Sequence, residues 1–243
     1  MSNRTLVALL VGLVLAMVLI LAPVSLVTSA LGRTGLISTS GARGTVWSGR
    51  LDNVVMAGSP VGDLKLGLSP LALLTGQARL GLRQTAGFDG QAVLFPGGAK
   101  RGVEGLTWRM PVDLTTVGLP LAGVATFKDA AAVFRKGQCV RAGGQIELRL
   151  AGEGPLGGVV LSGAPVCRRE SWVSTLSGAA GAAKVSLATR IDGTGRFQVE
   201  TMIVTTDEPT IQSLLANGFL RDAVGARRTV DGQWTRSAQA RAK

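Results

Sequence analysis

The sequence predicts a mostly β protein in which a single N-terminal transmembrane helix is followed by a strongly curved antiparallel β-sheet domain with one or two short helices. Three observations predict it. Residues 5–30 carry no charged side chain, in a run dominated by Leu, Val, Ala and Ile. Beyond them, short apolar runs recur at close intervals between turn residues, several with a period of two. The chain also holds 34 glycines, more than hairpin turns require, which places some within strands or at their ends, where they permit bending and bulges.

The 243 residues are 46% apolar, which excludes a wholly disordered chain. About 20 apolar residues cross a bilayer core, and the uncharged run is slightly longer than that. A cleaved signal peptide is the alternative, with Arg4 in its charged region and Thr28-Ser29-Ala30 as its cleavage site. A secretory apolar region is roughly 7 to 15 residues, so the length of this run favours a retained anchor. The division that follows is a cytoplasmic N-terminus at 1–4, a transmembrane anchor at 5–30, a periplasmic β domain at 31–236 and a flexible basic tail at 237–243. Within the β domain, residues 31–110 and 111–236 look like tandem sheet-building halves.

Charge gives mixed advice on orientation. Arg4 precedes the run, whereas Arg33, Arg43 and Arg50 follow it, but long domains translocate largely regardless of charge. The two cysteines, Cys139 and Cys167, bear on the question more directly. With no histidine in the chain they cannot complete the usual four-ligand zinc site. A disulfide is the economical reading and two separately buried thiols the alternative. A bridge requires an oxidising compartment, hence export across a bacterial inner membrane.

The strand candidates run in order through "TVWSGRLDNVVMAG", "VGDLKLGLS", "QARLGLRQTAG", "QAVLF", "GLTWRM", "QIELRLAG", "GVVLSG", "KVSLATRIDG" and "GRFQVETMIVT". In "KVSLATRI", Val185, Leu187 and Ile191 oppose Lys184, Ser186 and Arg190, which is the pattern of a sheet with one wet face. The strongest hairpin is "IDGTGRF", where Asp192-Gly193 and Gly195 separate two alternating runs. No long helical crossovers intervene, so the topology is an antiparallel meander. Two short helices are predicted. In "SPLALLTG", Ser69 opens the helix with Pro70 in first position; in "DEPTIQSLLANGFL", Pro209 suits an early position and Gly218 the end.

Composition excludes most chemistries. A chain with no histidine and no tyrosine has no Ser-His-Asp triad, no Cys-His pair and no histidine metal site. The carboxylates Asp52, Asp63, Asp89, Glu104 and Asp113 are isolated, and Asp207-Glu208 fall at a helix start, where the helix dipole favours them. Neither "GGAKRG" nor "GAAGAAK" has the spacing of a phosphate-binding loop. The sequence therefore points to no enzyme, no cofactor and no metal. The formal net charge is +11, but basic residues are scattered apart from a basic tail in "AVGARRTVDGQWTRSAQARAK". With 4% aromatic residues the chain lacks stacking platforms for nucleic acid, so the charge reads as a solvated surface that also attracts anionic lipid.

The segment "GTVWSGR" places Trp47 between Gly44 and Gly49. Drawn as a strand, it puts Thr45, Trp47 and Gly49 on one face. The indole then serves as a core anchor burying roughly 200 Å², with the two glycines admitting neighbouring backbone. A partner-facing or lipid-facing indole is the alternative.

"GTVWSGR" after an N-terminal membrane helix, followed by "LGLSPLALLTGQARL", resembles the bacterial type II secretion system protein N family. In the second half, "CVRAGGQIEL" with "LSGAPVC" is similar to that family's cysteine pair flanking a strand, and "SLLANGFLRD" to its C-terminal helix before a last strand. The similarity covers roughly residues 5–235, and the order of the short motifs carries it. One departure is "LKLGLSP", where the family often has a tryptophan and this chain has Gly67 or Leu68. The resemblance implies a bitopic inner-membrane protein with a periplasmic β domain, an accessory part of the machine that exports folded proteins across the outer membrane. It implies inner-membrane platform proteins, with the secretin further out, as partners, and no enzymatic activity. A membrane-tethered, AsmA-like lipid carrier, its curved sheet forming an open apolar groove, is the competing expectation.

Overall fold

The computed structural model describes residues 10, 17, 21–25, 28, 37–56, 59–85, 90–97, 99–114, 122–152 and 156–233. Its first half comprises β1 (Ile37–Ser38), β2 (Gly41–Gly44), β3 (Gly49–Met56), β4 (Ser59–Leu68), α1 (Pro70–Leu74), β5 (Leu80–Gln84), β6 (Gln91–Gly97) and β7 (Lys100–Asp113). The second comprises β8 (Ala122–Arg135), β9 (Gln138–Leu150), β10 (Val160–Gly163), β11 (Val166–Arg168), β12 (Ser171–Ala180), β13 (Ala183–Ile191), β14 (Arg196–Val204), α2 (Glu208–Ala216), β15 (Leu220–Asp222) and β16 (Gly225–Gln233).

All sixteen strands join one antiparallel sheet, in the order β1-β3-β4-β5-β6-β7-β8-β9-β10-β12-β13-β14-β16-β15, with β2 on β3 and β11 on β12. The meander follows from turn chemistry. Between β13 and β14 the Asp192 carboxylate accepts from the Thr194 N–H at 2.8 Å and the Arg196 N–H at 3.1 Å, an aspartate-closed turn. Between β8 and β9 the turn residues Lys136 and Gly137 both have positive φ, 49° and 85°, as a twist-matched two-residue hairpin needs.

Both predicted helices form. The Ser69 hydroxyl caps α1 by accepting from the Ala72 N–H at 3.4 Å, just before Pro70. Asp207 caps α2 by accepting from the Thr210 N–H at 3.0 Å, and Gly218, at φ 81°, follows its end. Ile211 and Leu214 are buried beneath this helix.

Buried apolar side chains form two clusters. One gathers Val24, Leu51, Val54, Leu64, Leu66, Leu80, Leu82 and Trp108; the other gathers Leu148, Leu150, Leu161, Trp172, Leu187, Ile203 and Phe219 among others. Met110 and Phe127 pack against both.

One expectation needs correction. The sheet is antiparallel and β-dominated but not strongly curled. Register shifts, which bend a sheet locally, occur between β3 and β4, β6 and β7, β7 and β8, and β8 and β9. By contrast β12, β13, β14 and β16 pair in unbroken register, so nothing there bends the ladder sharply. Glycines do sit within strands, as expected: Gly62, Gly102, Gly105 and Gly144 take positive φ beside these register shifts. Among the described residues no helix is long and apolar enough to cross a membrane. Most of the anchor predicted at 5–30 lies outside the described residues, as do residues 1–4 and the predicted tail at 237–243.

Candidate functional site

Three surfaces stand out, and the first is built by "GTVWSGR". Residues 45–48 are not strand but the turn joining β2 to β3, with Gly44 opposite Gly49. Residues 22–24 of the apolar N-terminal run dock on this turn. Pro23 bridges Thr45, the Val24 N–H donates to the Gly44 carbonyl at 3.1 Å, and the Val46 N–H donates to the Ala22 carbonyl at 2.9 Å. Val24 is thereby 1% exposed and joins the first core cluster.

The three glycines around the turn have separate steric reasons. At Gly44 φ is 91°, and a Cβ would lie 2.5 Å from the Ser48 carbonyl oxygen. At Gly49 a Cβ would lie 2.5 Å from Val24 Cγ2. At Gly67 a Cβ would lie 2.8 Å from the Trp47 carbonyl oxygen, so a tryptophan could not stand there. The alternation drawn through Gly44–Arg50 fails because a turn interrupts it. Val46 is buried, whereas Trp47 is half-buried at the rim of the turn. Leu10, Met17 and Leu21, upstream of this junction, expose 60–63% of their surface.

The second surface surrounds the cysteines. Cys139 on β9 and Cys167 on β11 form a disulfide with Cα atoms 5.5 Å apart. A bridge spanning 28 residues stabilises by about 3 to 4 kcal/mol in the chain-entropy model. The adjacent Trp172 donates from its indole Nε1 to the Ala131 carbonyl at 3.0 Å, tying β12 to β8 across the strands between. Arg101 donates to the Gly193 carbonyl at 3.0 Å, and the turns at 136–137 and 192–195 touch, Gly193 lying against Gly137.

Beside these turns opens a cleft of about 760 Å³. Arg169, Arg190 and Arg196 on its wall are matched by Glu170, Asp192 and Asp231, so the lining has no excess of either sign. Burial raises the Asp192 pKa, but hydrogen bonds from Thr194 and Arg196 outweigh it and hold the carboxyl below the usual aspartate range. Asp63, bonded by the Asn53 N–H and by Arg50, and Asp207, bonded by Thr210, are lowered as well. Glu208 is lowered by Gln212 and Arg221. Each of these shifts comes from a turn, a cap or a surface ion pair, and none marks a general acid or base. Among the described residues no group of His, Cys, Asp and Glu is arranged to hold a metal.

The third surface is the outer strand. Read from sequence as part of a basic tail, residues 225–233 form β16, paired along its whole length to β14. On its other side β15 covers only Gly225–Arg227. Sequence reasoning also missed β8 and β12, and with β12 the buried Trp172; the buried Trp108 was not recognised as a core residue.

A long antiparallel sheet of this kind offers other proteins its edges and faces. The model of the family described as type II secretion system (T2SS), protein N, matches residues 36–230, well over half of the chain, so the protein belongs to that family. It is thus a type II secretion system component, and membership implies contact with other components of that system. No curated protein and no solved structure matches the chain.

Proposed function

We propose that the protein is a non-enzymatic accessory scaffold of the type II secretion system, held in the bacterial inner membrane by the part of the apolar 5–30 run that precedes Ala22, with its sheet in the periplasm. The disulfide carries the compartment: a Cys139–Cys167 bridge persists where thiols are oxidised and not where glutathione keeps them reduced. The exposed Leu10, Met17 and Leu21 support an apolar environment for the first segment. Docking of residues 22–24 on the 44–46 turn then holds the sheet close to the membrane at a fixed entry point. The partners in this reading are the inner-membrane platform proteins, and the secretin beyond them.

A lipid carrier would need an apolar groove open to acyl chains. Most leucines and valines of the two clusters pack against one another, several at 0–1% exposure, which favours the scaffold; a cleft of about 440 Å³ beside Leu66, Leu82, Ala92 and Val93 is the place where a lipid chain would have to bind. Crosslinking in native membranes tests the reading. Recovery of other secretion components with the full chain is expected, and their complete absence, with free lipid bound in place of protein, would reverse the choice.

A further inference from the structure

We infer that Lys65 and Arg83, at a glycine-floored cleft on β4, β5 and β6, bind the phosphate headgroup of an anionic phospholipid at the membrane surface from which the chain emerges. This deepens the scaffold reading and rests on its membrane anchor. The register of β2 to β5 sets four cations side by side: Arg43 lies opposite Arg50, Arg50 opposite Lys65, and Lys65 opposite Arg83. All four are exposed. Like charges directly opposite one another on neighbouring strands are destabilising, so such a row calls for counter-charge. The first two cations have it, Arg43 pairing with Asp52 at 2.8 Å and Arg50 with Asp63 at 3.3 Å. Among the described residues no carboxylate reaches Lys65 or Arg83, which leaves two positive charges unmatched.

The same two cations line the cleft of about 440 Å³, and no acidic residue lines it. Gly67 pairs with Gly81 across β4 and β5, so its floor carries no side chain there. A Cβ on Gly81 would meet nothing nearer than the Gly67 carbonyl oxygen at 3.7 Å, so the space above it is open. Position selects the source of the phosphate. Arg43 is the chain neighbour of Gly44, whose carbonyl accepts from the Val24 N–H, and Gly67 lies against the Trp47 carbonyl of the same turn. The row thus starts at the junction where the apolar run meets the sheet, which in the anchor reading is the bilayer surface. The headgroup layer is roughly 5 to 8 Å deep and a strand rises about 3.3 Å per residue, so cations one or two residues from that turn stay within it. Lysine and arginine at this depth attract anionic lipid. The acyl chains remain in the bilayer, so the site attaches the sheet to the membrane and carries no lipid away from it.

The test places the full chain in nanodiscs of equal phosphatidylglycerol and phosphatidylcholine and counts the lipids it retains on release, by native mass spectrometry. Phosphatidylglycerol should dominate the retained lipid, and Lys65→Gln with Arg83→Gln should lower it by about tenfold. Gly81→Val fills the floor while keeping both charges, and should lower it as well. Arg135→Gln with Lys184→Gln removes the same charge from exposed positions in the second half of the sheet and should leave retention unchanged. The unfolding midpoint of the Lys65 and Arg83 double variant should equal or exceed that of the parent chain, because a repulsion is removed; a lower one would assign the pair a structural role and overturn the proposal. Equal loss in the Arg135 and Lys184 variant, equal retention of the two lipids, or displacement by inorganic phosphate at matched ionic strength would also overturn it, and each would leave the scaffold reading standing. Failure of the parent chain and every variant to insert into the nanodiscs would remove the anchor reading itself, and the proposal with it.

Discussion

Val24 occupies the space that a side chain on Gly49 would need, its Cγ2 lying 2.5 Å from the position of a Cβ there. The contact joins the end of the apolar N-terminal run to the first long strand. It also accounts for a glycine in "GTVWSGR" that alternation alone would assign simply to a strand face. Gly49→Ala should therefore undock residues 22–24 or force β3 aside, at a cost of roughly 1 to 3 kcal/mol in the manner of an overpacked core. Denaturant unfolding compared with Gly97→Ala checks this. Gly97 has nothing within 4 Å of its Cβ position, so its change should stay within about 0.5 kcal/mol.

Reduction of the disulfide should loosen the middle of the sheet, around β9, β11 and β12, selectively. The bridge joins β9 to β11 over 28 residues, and its loss should lower stability by about 3 to 4 kcal/mol. The paired change Cys139→Ser with Cys167→Ser should reproduce the effect of a reductant, and a reductant added to that variant should then do nothing.

Trp172→Phe keeps most of the buried ring but removes the Nε1 donor, leaving the Ala131 carbonyl without that partner. A loss of about 1 to 2 kcal/mol is expected. Hydrogen exchange should show it, with weakened protection spreading to both β8 and β12, because the bond ties the two strands.

Acid should open the β13–β14 turn before the core. The folded state holds the Asp192 carboxyl below its ordinary value, so the stabilisation is complete above the pKa of an unfolded aspartate and is lost as pH falls through the lower native value. Amide exchange of residues 192–196 followed from about pH 5 downward should show the transition. In Asp192→Asn that pH dependence should vanish.

Legibility in the sequence varied with the kind of signal. The β13–β14 hairpin was visible because Asp192-Gly193 and Gly195 specify a turn locally, and both helices because Ser69-Pro70 and Pro209 with Gly218 mark their ends. Strand β8, at 14 residues, was hidden by the alanine run at 130–132 and by Asp129, whose φ of 50° and register shift break the alternation. In β16 the arginines and Asp231 resembled a solvated tail, because an edge strand need not alternate cleanly. Trp47 was assigned to the core on size, yet the turn at 45–48 buries the smaller Val46 and leaves the indole half-buried. Glycine number overstates curvature because some glycines serve turns and the register shifts are confined to β3–β9, while β12, β13, β14 and β16 pair without a break. At least five, Gly76, Gly137, Gly181, Gly195 and Gly218, take positive φ in turns.

The most direct test of a periplasmic, disulfide-braced sheet is the thiol state of the full chain in growing bacteria, fixed by alkylation before lysis and read by peptide mass spectrometry without reductant. The account predicts one linked species joining the Cys139 and Cys167 peptides, with neither cysteine alkylated. Complete alkylation of both cysteines would place the sheet in a reducing compartment and contradict it.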